Sequence, residues 1–424
     1  MGRITKRRDL SQVNGLGSLH LFLESVGCLA LDGFLRFFRQ YDDNHAIDWN
    51  TARRTAGRMS SACTSIFLLS LLLLLVSASA RNNHVINFRS FDLFPESAAW
   101  DPSAQHFVVG SVRRPSLHSV SDAGLVDALI SDPDLPANVS ILGVAVDSPR
   151  RRVLAVITTG RRSPPFDALA AYDLRSPRVH RIFLSPLAVN STTVPHRPIV
   201  NGIALDHAGN AFVTASLGNF IWKVDVEGTA SVFSESPIFQ FQPNEVSPNE
   251  SYSWCGLNGI AYASSGYLLV VQTNTGKIFK VDGVDGRARL VGVGKSLWGA
   301  EGIAIRGDGS AVVVSQREAW LLKSNDAWAE AAVYDQVGLD EERFPTGVVV
   351  RERNEAYVLY GRANEGMMGR AGVEEFTLEE LEWEREKQGE YVWAFVFVGF
   401  GLCYFTYWRF QMGQLVRNMN KKTA

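Results

Sequence analysis

Four oxygen-bearing side chains, with no positive charge among them, stand at the same place in a recurring segment: Glu96, Asn201, Asn258 and Glu301. Each precedes a small residue, Ser97 or a glycine at 202, 259 or 302, which leads into a short apolar run. Two further copies put Leu142 and Thr346 at that place, before Gly143 and Gly347. Two carboxylates and two amide carbonyls converging on one axis suit a hard cation that takes six to eight oxygens, hence Ca²⁺ rather than Mg²⁺ with its tight octahedron. Zinc does not fit, because no His or Cys occupies these positions. Such an ion polarises a carbonyl or phosphoryl oxygen and stabilises the charge that develops there, which suits attack by water on a small-molecule ester, lactone or phosphotriester. Asn-Gly and Glu-Gly are also ordinary turn pairs, and the same residues could simply line a wet channel.

The elements that must position these residues come from the repeat itself. Between Ser97 and the glycines at 143, 202, 259, 302 and 347 the steps are 46, 59, 57, 43 and 45 residues. After each apolar run comes a turn such as Gly209-Asn210 or Gly307-Asp308-Gly309, then a second apolar strand, 211–214 or 311–314. Gly, Asn and Asp accept the positive φ of tight hairpins. A third strand follows in several copies, at 220–224, 277–281 and 320–322. No long segment of period 3.6 interrupts residues 85–370, so helix-rich folds are disfavoured. A unit of this length holding several short strands predicts an all-β chain with a six-bladed β-propeller over residues 81–373. The last copy, from Phe344, shows an inner strand and further strands at 356–360 and 373–376 but lacks an outer one, and the run at 85–89 is expected to supply it, leaving the ring no free edge.

On these residues the chain resembles the calcium-dependent six-bladed propellers of the regucalcin/gluconolactonase family, with a plant membrane-anchored type especially similar. The resemblance covers about 85–380. It implies that Glu96, Asn201, Asn258 and Glu301 hold a catalytic Ca²⁺. The departure is Glu301, where the family places Asp. The extra methylene shifts the carboxylate by roughly 1–1.5 Å. Strictosidine synthase-like propellers, which share six blades and use no calcium, are a third reading. A second is a non-catalytic propeller that binds a lumenal protein partner. Fold alone does not choose among them.

His196, six residues before Gly202, is the one histidine placed near the channel mouth; no general base can be assigned. Phe94, Trp254, Trp298 and Phe344 lie three to five residues before a register small residue and are expected either to rim the mouth or to pack top loops together. No Ser nucleophile elbow, phosphate loop or dinucleotide fingerprint occurs.

The chain has 424 residues and a formal net charge of −2, without a basic stripe, which argues against a nucleic-acid partner. Only Cys255 of the four cysteines falls in the repeat region, so no disulfide forms within it. Residues 59–80 read as a signal peptide: Met59, a polar start, an apolar core at 66–76 and the small-residue end Ser77-Ala78-Ser79-Ala80. Residues 1–58 do not share the repeat and are expected to be a non-native or disordered extension. Sequons at Asn138, Asn190 and Asn249 fit a glycoprotein. Residues 374–390, rich in Glu, are expected to form an acidic stalk, followed by a transmembrane helix at 391–408, 18 residues without a charge. The tail at 409–424 carries Arg409, Arg417, Lys421 and Lys422 and no acid, so it is expected in the cytosol, with the propeller lumenal. Its Lys421-Lys422 pair resembles a dilysine retrieval signal of the endoplasmic reticulum membrane.

Overall fold

The computed structural model describes residues 83–175, 180–188, 198–241, 245–246 and 253–422, all within one compact unit, Arg81–Ala424. The expected extension at 1–58 and the signal peptide at 59–80 lie outside the described residues, as do His196, Asn190 and Asn249.

Six antiparallel sheets form the blades, in chain order as expected. The first holds β2 (Ala98–Asp101), β3 (His106–Gly110), β4 (Ser116–Val120) and β5 (Val126–Ser131). The second holds β6 (Ser140–Asp147), β7 (Arg152–Thr158), β8 (Asp167–Asp173) and β9 (Arg181–Pro186). The third holds β10 (Val200–Leu205), β11 (Ala211–Ala215), β12 (Phe220–Val224) and β13 (Ala230–Ser234), and the fourth β14 (Leu257–Ala263), β15 (Tyr267–Gln272), β16 (Lys277–Asp282) and β17 (Ala288–Leu290). In the fifth, β18 (Gly292–Val293) adds a short parallel pairing outside β22 (Glu330–Gly338), beyond β21 (Glu318–Lys323), β20 (Ala311–Val314) and β19 (Gly302–Ile305).

The sixth blade is closed by both ends of the repeat region. Its order is β23 (Pro345–Val350), β24 (Ala356–Tyr360), β25 (Glu375–Glu380) and then β1 (Val85–Arg89). The run at 85–89 therefore supplies the outer strand, with Ile86 opposite Leu378 and Phe88 opposite Phe376. The Phe88 and Phe376 rings lie 5.8 Å apart. The stalk expected at 374–390 is corrected here, because its first part is β25. In β25 Phe376 and Leu378, two apart, are buried, as are Thr377 and Glu380, while Glu375 is exposed.

Apolar residues fill the space between blades rather than one central core. Separate clusters lie at each of the six interfaces; Val153, Ala155 and Ile157 pack toward blade 1, and Leu154 and Val156 toward blade 3. This explains why β7 is buried at every position, since a middle strand is covered on both faces. Each such Val, Leu or Ile contributes roughly 1.5–3 kcal/mol through burial.

A helix, Glu384–Lys422, follows the last blade, starting ahead of the expected 391–408 and running past it. Among the described residues no helix is long and apolar enough to cross a membrane. The side chains at 387–398 fall outside the description. Near its start, Glu386 pairs with Arg306 of blade 5 at 2.8 Å.

Candidate metal centre

The innermost strands do not simply begin at the register residues; they are bent there. In β10 the pairing with β11 shifts between Val200 and Ile203, so Asn201 and Gly202 form a bulge. The same shift occurs around Asn258 and Gly259 in β14, and around Leu142 and Gly143 in β6. A bulge re-aims a side chain that the pleat would otherwise direct into an inter-blade core. Glu96 and Glu301 reach the same level differently, just ahead of the first paired residues of β2 and β19. The Glu301 backbone N–H is held by Val314 O at 2.8 Å.

Glycine at the next position follows from crowding around the axis. A Cβ on Gly143 would stand 2.6 Å from Asn201 O, one on Gly202 2.5 Å from Asn258 O, and one on Gly259 2.4 Å from Glu301 O. Each register glycine thus lets the next blade's register backbone approach. Ser97 in blade 1 replaces this close approach with a bridge. Its Oγ donates to Leu142 O at 2.6 Å and accepts from Val144 N at 3.0 Å.

All four expected ligands face one cavity of about 90 Å³ on the propeller axis, together with Leu142 and Thr346. No Lys, Arg or His is among the described residues lining it. Asn258 and Glu301 are each only 7% exposed. The two amides have defined orientations. Ser216 Oγ donates to Leu257 O at 2.8 Å, so it must accept from Asn201 Nδ2, at 3.3 Å. Thr273 Oγ1 donates to Ala300 O at 2.8 Å and accepts from Asn258 Nδ2 at 3.0 Å. With both NH₂ groups tied outward by hydroxyls that have no proton left to give, each Oδ1 is left for another partner.

The electrostatics point the same way. Burial pushes the Glu96 carboxyl up to about 7. Glu301 is pushed up by burial and then by the negative charge of Glu96. Two carboxylates in one small enclosure without a cation repel each other and are poorly solvated, and a bound cation would relieve both costs. Cys255, whose Sγ lies 3.7 Å from Asn258 Nδ2, has its thiol pushed up to about 12 by burial, so it stays a thiol and offers no thiolate ligand. Among the described residues no three His, Cys, Asp or Glu side chains cluster as a metal site. The donor set is two carboxylates and two amides, which fits a hard oxygen-seeking cation and not zinc.

The expected aromatic rim divides. Trp254 and Trp298 are exposed, 40% and 41%. Phe94 is not at a rim; it is buried in the cluster between blades 6 and 1, with its ring 5.8 Å from Phe376. Phe344 is half-buried beneath the Arg362 guanidinium, 5.4 Å from its ring centre. Sequence reasoning missed the hydroxyls Ser216 and Thr273 behind the amides. Both follow the second strand of a blade, Ser216 directly after β11 and Thr273 directly after β15, a correspondence visible only once the second strands are aligned.

No family model matches the chain, and no curated protein matches it. Solved structures do. The major allergen Mala s 1 of Malassezia sympodialis is 18% identical, with a TM-score of 0.58 over 71% of this chain and 97% of that one. A gluconolactonase of Xanthomonas campestris is 14% identical, with a TM-score of 0.47 over 72% of this chain and 92% of that one. A streptogramin B lyase is 12% identical, with a TM-score of 0.46 over 71% and 98%. At 18% identity the likeness to Mala s 1 establishes the shared fold and nothing finer.

Proposed function

We propose that the chain is a calcium-dependent hydrolase acting on a small ester, lactone or phosphotriester at the axial cavity. One observation carries the reading. Two carboxylates, Glu301 buried and Glu96 half-buried, and two amides with fixed NH₂ groups line a single cavity that has no described cationic side chain. Glu96, Asn201, Asn258 and Glu301 would hold the ion, which when bound supplies a positive charge opposite an oxygen that gains negative charge during the reaction. The chain's own part is placement. Ser216 and Thr273 lock the amides, the bulges aim them at the axis, and the register glycines let the inner strands of neighbouring blades approach closely.

Thermal melting of the full-length protein across a range of free calcium tests the ion site. A native-state ligand stabilises by about 2.7 kcal/mol at a hundred-fold excess over its dissociation constant. A calcium-dependent rise that Glu301→Gln and Asn201→Leu abolish is the expected result. Identical melts in calcium and in chelator would overturn the reading. A second reading, a non-catalytic propeller for a lumenal partner, draws on the cavity lining, which has no described His to serve as general base.

We further propose that the propeller is lumenal in the endoplasmic reticulum, anchored by residues 391–408, with 409–424 in the cytosol. The uncharged run of 18 residues followed by a tail with four basic residues and no acid supports this. Protease treatment of sealed microsomes should remove only the tail; digestion of the propeller would refute the topology.

A further inference from the structure

A second cavity, of about 700 Å³, opens beside the channel and is lined by Gly160, Arg161, Arg162, Pro165, Ile199, Leu217 and Trp254. Its parts come from three blades. The β7–β8 loop of blade 2 brings the two arginines. Blade 3 brings Ile199 and Leu217, and Trp254 leads into blade 4. The cavity's lining is adjacent in the chain to the residues that hold the amides of the axial site. Ile199 is two residues before Asn201, Leu217 follows the Ser216 that holds Asn201, and Trp254 adjoins the Cys255 that touches Asn258. Volumes of this size suit a small organic ligand.

We propose that this cavity binds the acidic group and apolar body of an organic anion, a carboxylate or phosphate monoester, whose remainder reaches toward Asn201 and Asn258. Among the described lining residues the charge is one-signed, two guanidiniums and no acid. Arg162 is positioned by donating to Thr159 O at 3.1 Å and to Ser140 Oγ at 2.6 Å. Burial, and after it the nearby Arg113, disfavour the charged form of Arg162, and a bound anion would offset both. The Arg161 guanidinium lies 4.7 Å from the centre of the Trp254 ring, so cation and apolar plate form one wall. A planar fork over an aromatic face suits a planar acid joined to an apolar ring. Ile199, Leu217 and Pro165 complete the apolar lining.

The inference deepens the proposed function by naming what the substrate carries, and it relies on that function only for the reacting end. The test is calorimetric titration of the full-length protein with 2-naphthoate, naphthyl phosphate and the neutral 2-naphthamide, each in calcium and in chelator. Either anion should bind about ten-fold or more tightly than the amide, and weaken with salt. Arg161→Met and Arg162→Met should each weaken the anions by about ten-fold while leaving the amide nearly unchanged. Trp254→Leu should weaken all three. Which anion binds more tightly separates a carboxylate source from a phosphate source. Equal affinity for anions and amide, or anion affinity unchanged in both arginine variants that still melt as the parent does, would overturn the proposal. A calcium-dependent melt retained in that case would leave the axial site standing; anion binding without a calcium shift would do the reverse.

Discussion

Strand β2 has an acid just before it and an acid at its end, and their surroundings are opposite. Asp101, at the end of the strand, is 1% exposed and is answered by Arg151 of the next blade at 3.0 Å. The same holds for the end of β6. There Asp147 and Arg152, both 4% exposed, pair at 2.9 Å, and Arg152 spans to Gly209 O and Val226 O of blade 3. Glu96, at the other end of β2, shares its enclosure with Glu301 and has no described cation beside it. One end of the propeller uses buried acids to fasten blade to blade. The other collects acids that the chain itself leaves uncompensated. Uncompensated burial, rather than burial of charge as such, marks the end where a ligand belongs.

The comparison can be broken most forcefully at the fastened end. Arg152→Ala removes the buried one of Asp147's two arginine partners, leaving Arg150 at 3.2 Å, and also removes the bonds to Gly209 O and Val226 O, so it is expected to cost up to about 3 kcal/mol by denaturant unfolding. A loss under about 1 kcal/mol would mean that the pair is no different from a surface one.

At the other end the opposite sign is expected. Glu96 and Glu301 retain protons in the folded chain at pH values where the unfolded chain has released them. Without calcium, stability is therefore unaffected by these groups below about pH 4.5 and falls as pH rises toward about 7. Glu96→Gln should flatten that fall and raise calcium-free stability above pH 7 by up to about 3 kcal/mol, while removing the calcium response. Calcium-free melts recorded across this range check both, and a variant less stable than the parent at every pH would contradict the uncompensated charge.

A smaller effect tests the packing that holds the acids together. Gly259→Ala puts a Cβ 2.4 Å from Glu301 O and 2.9 Å from Ile303 N, so the blades must shift at a cost of about 1–3 kcal/mol. Because the shift moves Glu301, the calcium response should fall more than overall stability does. A variant with both unchanged would show that the axis tolerates the wider spacing.

Much of this was legible in the linear chain because its physics is local and periodic. The spacing of Ser97 and the glycines at 143, 202, 259, 302 and 347 specified six blades, and period-two apolar runs specified their strands. Since every blade presents the same register position to one axis, Glu96, Asn201, Asn258 and Glu301 could be grouped before any coordinates, and they do line one cavity. The lone run at 85–89 was recognisable as the missing strand of the sixth blade, and it pairs with β25.

Other features depended on contacts that no spacing encodes. The strand expected at 373–376 runs instead over Glu375–Glu380, into the Glu-rich segment, because Phe376 and Leu378 found the cluster shared by blades 6 and 1. Phe94 went into that cluster instead of the rim for the same reason. The amide orientations were decided by Ser216 and Thr273, whose protons are taken by carbonyls of the neighbouring blade. The arginine-lined cavity draws on three blades, and its residues acquire a common purpose only when the loops converge. Periodicity along the chain determined the ring and its axis, because each blade's pattern is carried within its own few dozen residues. Which charges are answered, and which amide oxygens stay open, was decided only where one blade meets the next.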